Sequence, residues 1–437
     1  MNSSKVLAVI LAGGAGERLY PLTRDHAKPA VSFGGTYRLI DFTLSNAVNS
    51  KIRQIFILSQ YKSDSLHRHI QLGWNLFASE LDEFITVLPP QQRINRQWYS
   101  GTASAVRQNL YAINRFEPQY VLILSADHVY KMDYAKMLDY HQKAKAEITV
   151  GAIEVRHEDA HRFGILKMDP NQRITEFIEK PKTLTTCRLN GSSIMGSMGI
   201  YLFNIDVLNE ILAQDMEEQM ENDFGKDLIP SLLHTRRIYA YHFSDENKKT
   251  AKYWRDVGTI DSYWEANMEL VSVNPEFNLY DSNWPIRTYQ PQYPPARTIS
   301  AKGKKRDGLV LDSIISNGCI IKNARLLNCV LSPGVVVNHS ADICESILME
   351  GATVGCSARI RRAIVGKNVV IPPGTAIGCE SAEDRKRFTI SEKGIVVIPE
   401  GTILPETPAI RKEQAAYTVE IYGKRQQCAD LFCTSQV

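Results

Sequence analysis

Short apolar runs alternate with amphipathic stretches over roughly the first 270 residues, and the two periods predict different elements. Compact aliphatic runs predict strands at 5–10, 54–59, 120–126, 147–153 and 199–203. Apolar residues every three or four positions predict helices at 39–49, 103–115 and 134–146. Such alternation argues for an α/β unit with a mainly parallel sheet covered on both faces by helices. In sheets of that kind, ligands bind beyond the carboxyl ends of the strands. Around Trp284–Pro295 the helical period stops, and WPIRTYQPQYPP reads as a connecting arm laid along a surface. From Leu309 a third pattern begins, with blocks ending at Gly318, Gly334, Gly351 and Asn368, 16 or 17 residues apart. Within each block aliphatics step by six: Ile315, Ile321, Leu327; Leu331, Val337, Ile343; Leu348, Val354, Ile360; Val365, Ile371, Ile377. Three six-residue steps per turn predict a parallel β-helix of triangular section, each coil burying its apolar face on the next. The expected division is 1–284, a connecting arm at 285–308, the β-helix at 309–405, and a polar tail at 406–437.

Length and charge narrow the class. A chain of 437 residues is long for one core. A net charge of +3 is too small at this length to suggest a nucleic-acid binder. The basic cluster Lys302, Lys304, Lys305 and Arg306 reads as a solvated linker. No apolar run reaches the length of a transmembrane helix, so no membrane partner is expected. The early run VLAVILA flows into glycines with no cleavage region, so it reads as strand rather than export signal. The eight cysteines form no CxxC pair and no Cys/His metal spacing. Reduced thiols, Cys428 and Cys433 in the tail included, and a cytoplasmic location are the expectation.

The chemistry concentrates after the first strand. In LAGGAGERLYPLTRDHAKPAV (11–31), Gly13, Gly14 and Gly16 allow close backbone approach to a ligand, and successive N–H groups form an anion-binding concavity. Arg18 offers a fork and Lys28 a point charge to a polyphosphate. The spacing is neither a Walker A loop nor a full dinucleotide fingerprint, so the glycines alone equally fit an ordinary strand-to-helix turn. Asp127 follows a strand directly and can hold Mg2+ in the ligand crevice, with Asp256 of YWRDVGT as second carboxylate; the ordinary role of such an Asp is a helix N-cap. In ITEFIEKPK, Glu179 and Lys180 are either a charged strand end or a grip on a sugar phosphate. Ser197 is either a turn residue or a hydroxyl donor to a sugar. Gly101 and Thr102 open a helix where a flat base can lie, or Thr102 is simply its N-cap.

In order, these motifs closely resemble the glucose-1-phosphate adenylyltransferase family of bacterial glycogen synthesis, over nearly the whole chain. The stretch 33–70, FGGTYRLIDFTLSNAVNSKIRQIFILSQYKSDSLHRHI, together with WYSGTASAV and NWPIRTY, separates this family from other sugar nucleotidyltransferases. The resemblance implies a Rossmann-like nucleotidyltransferase domain followed by a left-handed β-helix, a homotetramer, and small-molecule allosteric effectors. It implies ATP and glucose 1-phosphate as substrates and Mg2+ as cofactor. By motif, Leu11, Ala12, Gly13, Gly14, Gly101 and Thr102 bind the nucleotide, and Arg18, Lys28 and Asp127 are catalytic. Asp127 and Asp256 hold the metal. Tyr99, Gly164, Glu179, Lys180 and Ser197 hold glucose 1-phosphate, and Gln60 and Trp98 link regulator binding to the site.

The chain departs from the family pattern at Asp25, His26, Ser32, Ser100, Ser104 and Ser125, with Ala126 where a glycine often stands. Positions around 25, 32 and 100 belong to the family's regulatory surface, so the expectation is an active enzyme with altered effector response. A non-catalytic regulatory subunit is the alternative, opposed by the presence of Lys28 and Asp127. Acyl transfer on the β-helix is not expected, since His339 is the only histidine in the coils.

Overall fold

The computed structural model describes residues 6–91, 98–181, 194–218, 223–249, 252–300 and 308–405. The basic cluster at 302–306 and the tail at 406–437 lie outside them. The chain packs as two compact units. Of the described residues, one holds those up to Phe33 with those of Tyr37–Gly258 and Glu276–Gln290; the other holds Gly34–Thr36, Thr259–Pro275 and those from Pro291 to 405.

The first unit is built on a nine-stranded sheet. Its main path runs Ile174–Glu179, Gly164–Met168, Ile194–Asn204, Tyr120–Ser125, Val6–Ala12, Gln54–Ser59, Phe84–Leu88, and Ile148–Val155 joins Ile194–Asn204 to Ile238–His242. Val6–Ala12 pairs in parallel with Gln54–Ser59 and with Tyr120–Ser125. Because successive strand side chains point to opposite faces, this apolar run feeds two cores. Leu7 and Val9 pack with Ala103, Val106 and Ile113 of the Thr102–Asn114 helix and with Leu208, Ile211 and Leu212 of Ile205–Glu218. Val6, Ala8 and Ile10 pack with Ile40, Leu44 and Ala47 of Leu39–Asn49, Leu66 and Ile70 of Asp64–Gly73, and Met137 of Tyr134–Lys143. A strand buried on both faces reads as a continuous hydrophobic run for this reason. The long strand Ile194–Asn204 is antiparallel to its three partners, a direction that the apolar run at 199–203 did not encode.

Two stretches that distinguish the family by sequence meet in space. Ser45, Asn46 and Asn49 on the Leu39–Asn49 helix hold the segment at 284–287: Trp284 Nε1 donates to Asn46 Oδ1 (2.8 Å), Asn49 Nδ2 donates to the Pro285 carbonyl (3.0 Å), and the Arg287 N–H donates to Ser45 Oγ (2.8 Å). Asn46 is fully buried, and its amide also donates to the Tyr130 carbonyl and accepts from the Met132 N–H. Satisfying a buried amide this completely avoids the desolvation cost of an unpaired polar group.

In the second unit, short parallel strands stack into three sheets. Leu331, Leu348 and Val365 align on one, Val337, Val354 and Ile371 on the next, and Ile343, Ile360 and Ile377 on the third, all buried inside the β-helix. The first coil differs from the sequence expectation. Leu326, fully buried, aligns with Ile343, whereas Leu327 is only half-buried and aligns with Cys344. The Ile315-to-Leu331 coil is one residue shorter than those after it, and a one-residue shift turns a strand's side chains to the other face. The strand Arg297–Ile299, in the stretch read as a connecting arm, adds to the sheet of Val337, Val354 and Ile371, beside Ile320–Lys322.

Candidate active site

Leu11 pairs in register with Ser125, so the glycine loop after one strand and Asp127 after its neighbour emerge side by side at the carboxyl edge of the sheet. Gly16 sits at φ +69, inside the region that favours glycine, and its carbonyl accepts from Thr23 Oγ1 at 2.9 Å. Gly14 is open, with nothing within 4 Å of where a side chain would begin. Lys28 starts the tight turn Lys28–Ala30, and only 11% of its side chain is exposed. Asp127 caps no helix. It lies between Tyr120–Ser125 and His128–Tyr130. Asp256 is brought next to it because Trp254–Asp256 pairs antiparallel with His128–Tyr130, Asp256 opposite His128.

Lys28 holds the two acids together. Its Nζ donates to Asp127 Oδ2 at 2.6 Å and lies 3.5 Å from Asp256 Oδ1. Burial works against the ammonium, but the charges of Asp127 and Asp256 outweigh it and raise the Lys28 pKa. Burial likewise opposes the Asp127 carboxylate, yet Lys28, then His128, and hydrogen bonds from Lys28 and Ser125 hold its pKa far below the usual range. Arg18 is on the same side: a Cβ on Gly258 would meet Asp256 Oδ2 at 3.1 Å and Arg18 Nη2 at 3.3 Å, a tight fit between the two side-chain ends. The sequence-predicted Arg18, Lys28, Asp127 and Asp256 thus form one cluster beside the glycine loop.

The donor set suits a hard divalent cation. Two carboxylates reach the same ammonium, and a hard ion takes one or two protein carboxylates, with phosphate and water completing its shell. Among the described residues no group of three or more His, Cys, Asp or Glu side chains is placed to hold a metal alone. The pair therefore fits an ion held by two carboxylates and completed by water, or by phosphate once substrate is bound, rather than a metal caged by protein alone.

A second cluster lies along the Ile194–Asn204 strand. Its pairing with Ile148–Val155 slips between Ser197 and Tyr201, and Gly199 in the slip has φ +67. Such a bulge re-aims side chains, and Ser197 Oγ accepts from the Gly199 N–H at 3.3 Å. Glu179 lies opposite Gly164. A Cβ at Gly164 would be 2.7 Å from Glu179 Oε2 and from the Phe177 ring, so the carboxylate lies over a glycine because only glycine leaves room. Lys180 Nζ is 2.8 Å from Glu179 Oε1.

Thr102 does not cap its helix: Gly101 holds the N-cap position, and the Thr102 hydroxyl donates to Asp223 Oδ2 (3.0 Å) and accepts from the Phe224 N–H. Asp223, missed by the sequence reading, also accepts from the Gly225 N–H at 2.9 Å, and a Cβ at Gly225 would meet Glu179 Oε2 at 3.1 Å. The cue was NDFGKD, an Asp followed two residues later by glycine. Gly101, Thr102, Gly164 and Glu179 therefore belong to one neighbourhood. Tyr99 accepts from Asn109 Nδ2 at 3.0 Å, and burial raises its pKa. Gln60 reaches the loop, 3.4 Å from a Cβ placed on Gly13, while Trp98 stands 56% exposed. His128, also missed, packs its ring on Trp254 at 4.6 Å, and His128 Nδ1 and Trp254 Nε1 are both buried with no hydrogen-bond partner among the described residues.

Comparison with known proteins shows the family to which the chain belongs. Residues 7–273 match the family described as Nucleotidyl transferase, and residues 294–398 match GlmU-like, C-terminal hexapeptide, the left-handed β-helix class expected. The chain is 49% identical to a glucose-1-phosphate adenylyltransferase of Koribacter versatilis over 92% of its length and 97% of the relative's. It is 49% identical to glucose-1-phosphate adenylyltransferase 2 of Vibrio cholerae, over 90% and 97% of the two chains. A glucose-1-phosphate adenylyltransferase of Rhodopirellula baltica is 48% identical over 92% and 91%. Acids, cations and glycine loop brought to one sheet edge, in a chain this similar over nearly its whole length, place the protein in the glucose-1-phosphate adenylyltransferase family of nucleotidyltransferases.

Proposed function

We propose that this protein transfers the adenylyl group of ATP to α-D-glucose 1-phosphate in a Mg2+-dependent reaction, giving ADP-glucose for glycogen synthesis and pyrophosphate. The observation that carries the reading is the contact of Lys28 with both Asp127 and Asp256 beside the glycine loop. A phosphate oxygen of glucose 1-phosphate attacks the α-phosphorus of ATP in line, its new P–O bond replacing the bond to the departing pyrophosphate. The nucleophile is already anionic, so no strong general base is needed; positioning and neutralisation carry the rate.

Leu11, Ala12, Gly13 and Gly14 hold the phosphates, and Arg18 and Lys28 neutralise them. The raised pKa of Lys28 keeps it charged at neutral pH, the state that task requires. Asp127 and Asp256 hold Mg2+, which when bound supplies further neutralisation of the phosphate oxygens. Gly101 and Thr102 receive the base; Tyr99, Gly164, Glu179, Lys180 and Ser197 hold the sugar phosphate, the Glu179 carboxylate accepting from sugar hydroxyls.

The same reading extends to control. Gln60 and Trp98 transmit the binding of small-molecule effectors in a homotetramer, and the response is altered here. Arg24 supports that: its guanidinium pairs locally with exposed Asp25 at 2.7 Å, which offsets a charge an anionic effector would use.

Pyrophosphate release from the purified chain, with Mg2+, glucose 1-phosphate and each nucleoside triphosphate in turn, tests the function. Release with ATP alone is expected, and strong activation by fructose 1,6-bisphosphate contradicts the altered control. No turnover with any triphosphate in folded protein favours the regulatory-subunit alternative, and near-normal turnover of Asp127→Asn refutes the assigned chemistry.

A further inference from the structure

The reaction scheme leaves the hydroxyl of Ser125 without a task, although it donates a hydrogen bond to Asp127 Oδ1. The other oxygen, Oδ2, is the one that meets Lys28. The final torsion of an aspartate side chain is broad and roughly two-fold, so nothing intrinsic decides which oxygen faces which neighbour. His128 Nε2 approaches the same Oδ1 only to 3.6 Å, outside hydrogen-bond reach. Among the described residues Ser125 Oγ is thus the hydrogen-bond donor to Oδ1.

Ser125 is itself held firmly. It ends the Tyr120–Ser125 strand in register with Leu11, and its carbonyl accepts from Thr43 Oγ1 at 2.9 Å. A donor on a rigid strand end, charge-assisted by the carboxylate, is well suited to fix that carboxylate's rotation. The hydroxyl is the part of this side chain that alanine would lack, and its contact is with the carboxylate.

We propose that Ser125 is a positioning residue: its hydroxyl occupies Oδ1 and turns Oδ2 of Asp127 toward Lys28 and the divalent cation. The proposal rests on the reading of Asp127 as a cation-holding carboxylate.

The test is Mn2+ binding to the full-length, substrate-free protein, followed by the electron paramagnetic resonance signal of free Mn2+. Ser125→Ala is expected to bind Mn2+ about 10-fold more weakly than the parent, as losses of partners behind a metal ligand usually do. Ser125→Thr, which keeps the hydroxyl, stays within about threefold of the parent. Under turnover, Ser125→Ala lowers kcat by a similar factor and leaves the KM for glucose 1-phosphate unchanged. Parental Mn2+ affinity in Ser125→Ala overturns the proposal. Equal losses in the Ala and Thr variants at an unchanged melting temperature also overturn it, since the effect then belongs to the strand and not the hydroxyl. Asp127→Asn sets the floor. A parent that binds no better than this variant overturns the metal assignment of Asp127 and the proposal with it, whereas a parent that binds Mn2+ but does not turn over overturns only the function.

Discussion

Lys28→Met keeps most of the apolar stem and deletes the charge that lies between Asp127 and Asp256. Removing one partner of a fully buried ion pair costs about 3–5 kcal/mol. Here the Asp127 and Asp256 side chains stay 24% and 25% exposed, so solvent screens part of the loss. Discounted for that screening, about 2 kcal/mol is expected. In a unit of this size that is about 4–8 °C in melting temperature. The acid side carries its own signature. Lys28 helps hold the folded Asp127 pKa below its unfolded value, so that stabilisation is present above the unfolded pKa and is lost as pH falls toward the folded one. The variant therefore shows a shallower loss of stability on acidification. With the ammonium gone, the two carboxylates lose the cation that lies between them, and Mg2+ should raise the variant's melting temperature more than the parent's. Turnover, read as pyrophosphate release, should fall about 100- to 1,000-fold, typical of losing one preorganised charge-stabilising group. A variant with the parental melting temperature, an equal Mg2+ response and kcat within about threefold of the parent would refute the argument that Lys28 bridges these acids to neutralise phosphate.

Other positions give independent checks. In the first β-helix coil, Leu326→Ala should destabilise the chain by about 2–5 kcal/mol, while Leu327→Ala costs under about 1 kcal/mol in chemical or thermal melts; the reverse order would mean the coil register is wrong. Gly164→Ala drives a Cβ to 2.7 Å from Glu179 Oε2 and Phe177. It should cost about 1–3 kcal/mol and raise the KM for glucose 1-phosphate but not for ATP; unchanged kinetics would remove Glu179 from the sugar site. His141 is buried between Thr149 and Asn204, and burial lowers its pKa below the ordinary 6.5, partly offset by the Asn204 hydrogen bond. The unfolded chain binds this proton first, so stability falls as pH drops below 6.5 and the loss levels off below the folded pKa. His141→Gln should flatten urea midpoints between about pH 7 and 5, and an unaltered slope would show that His141 does not carry it.

Local pattern carried much of this architecture. The strand at 54–59 and the helix at 39–49 were legible to the residue because each is a complete period of core-facing side chains bounded by polar neighbours. The β-helix was legible as a period, since a coil that buries its interior only on the next coil must repeat its apolar positions. The glycine loop and its cations were visible because bare backbone and fixed charge stand together in one short stretch, 11–31. What the chain did not reveal locally was every relation set by pairing between distant segments. Lys28 meets Asp127 from 99 residues away; the registers Leu11 with Ser125 and Asp256 with His128 made the cluster. Asp223 joined Thr102 only through tertiary packing, and Leu326 replaced Leu327 inside the first coil because a shorter turn moved the register by one. Residue types and periods are fixed by local chemistry and are written in the sequence. The pairing of oxygens with cations depends on strand direction and register, which come from burying two faces of one sheet at once, and that only the folded chain decides.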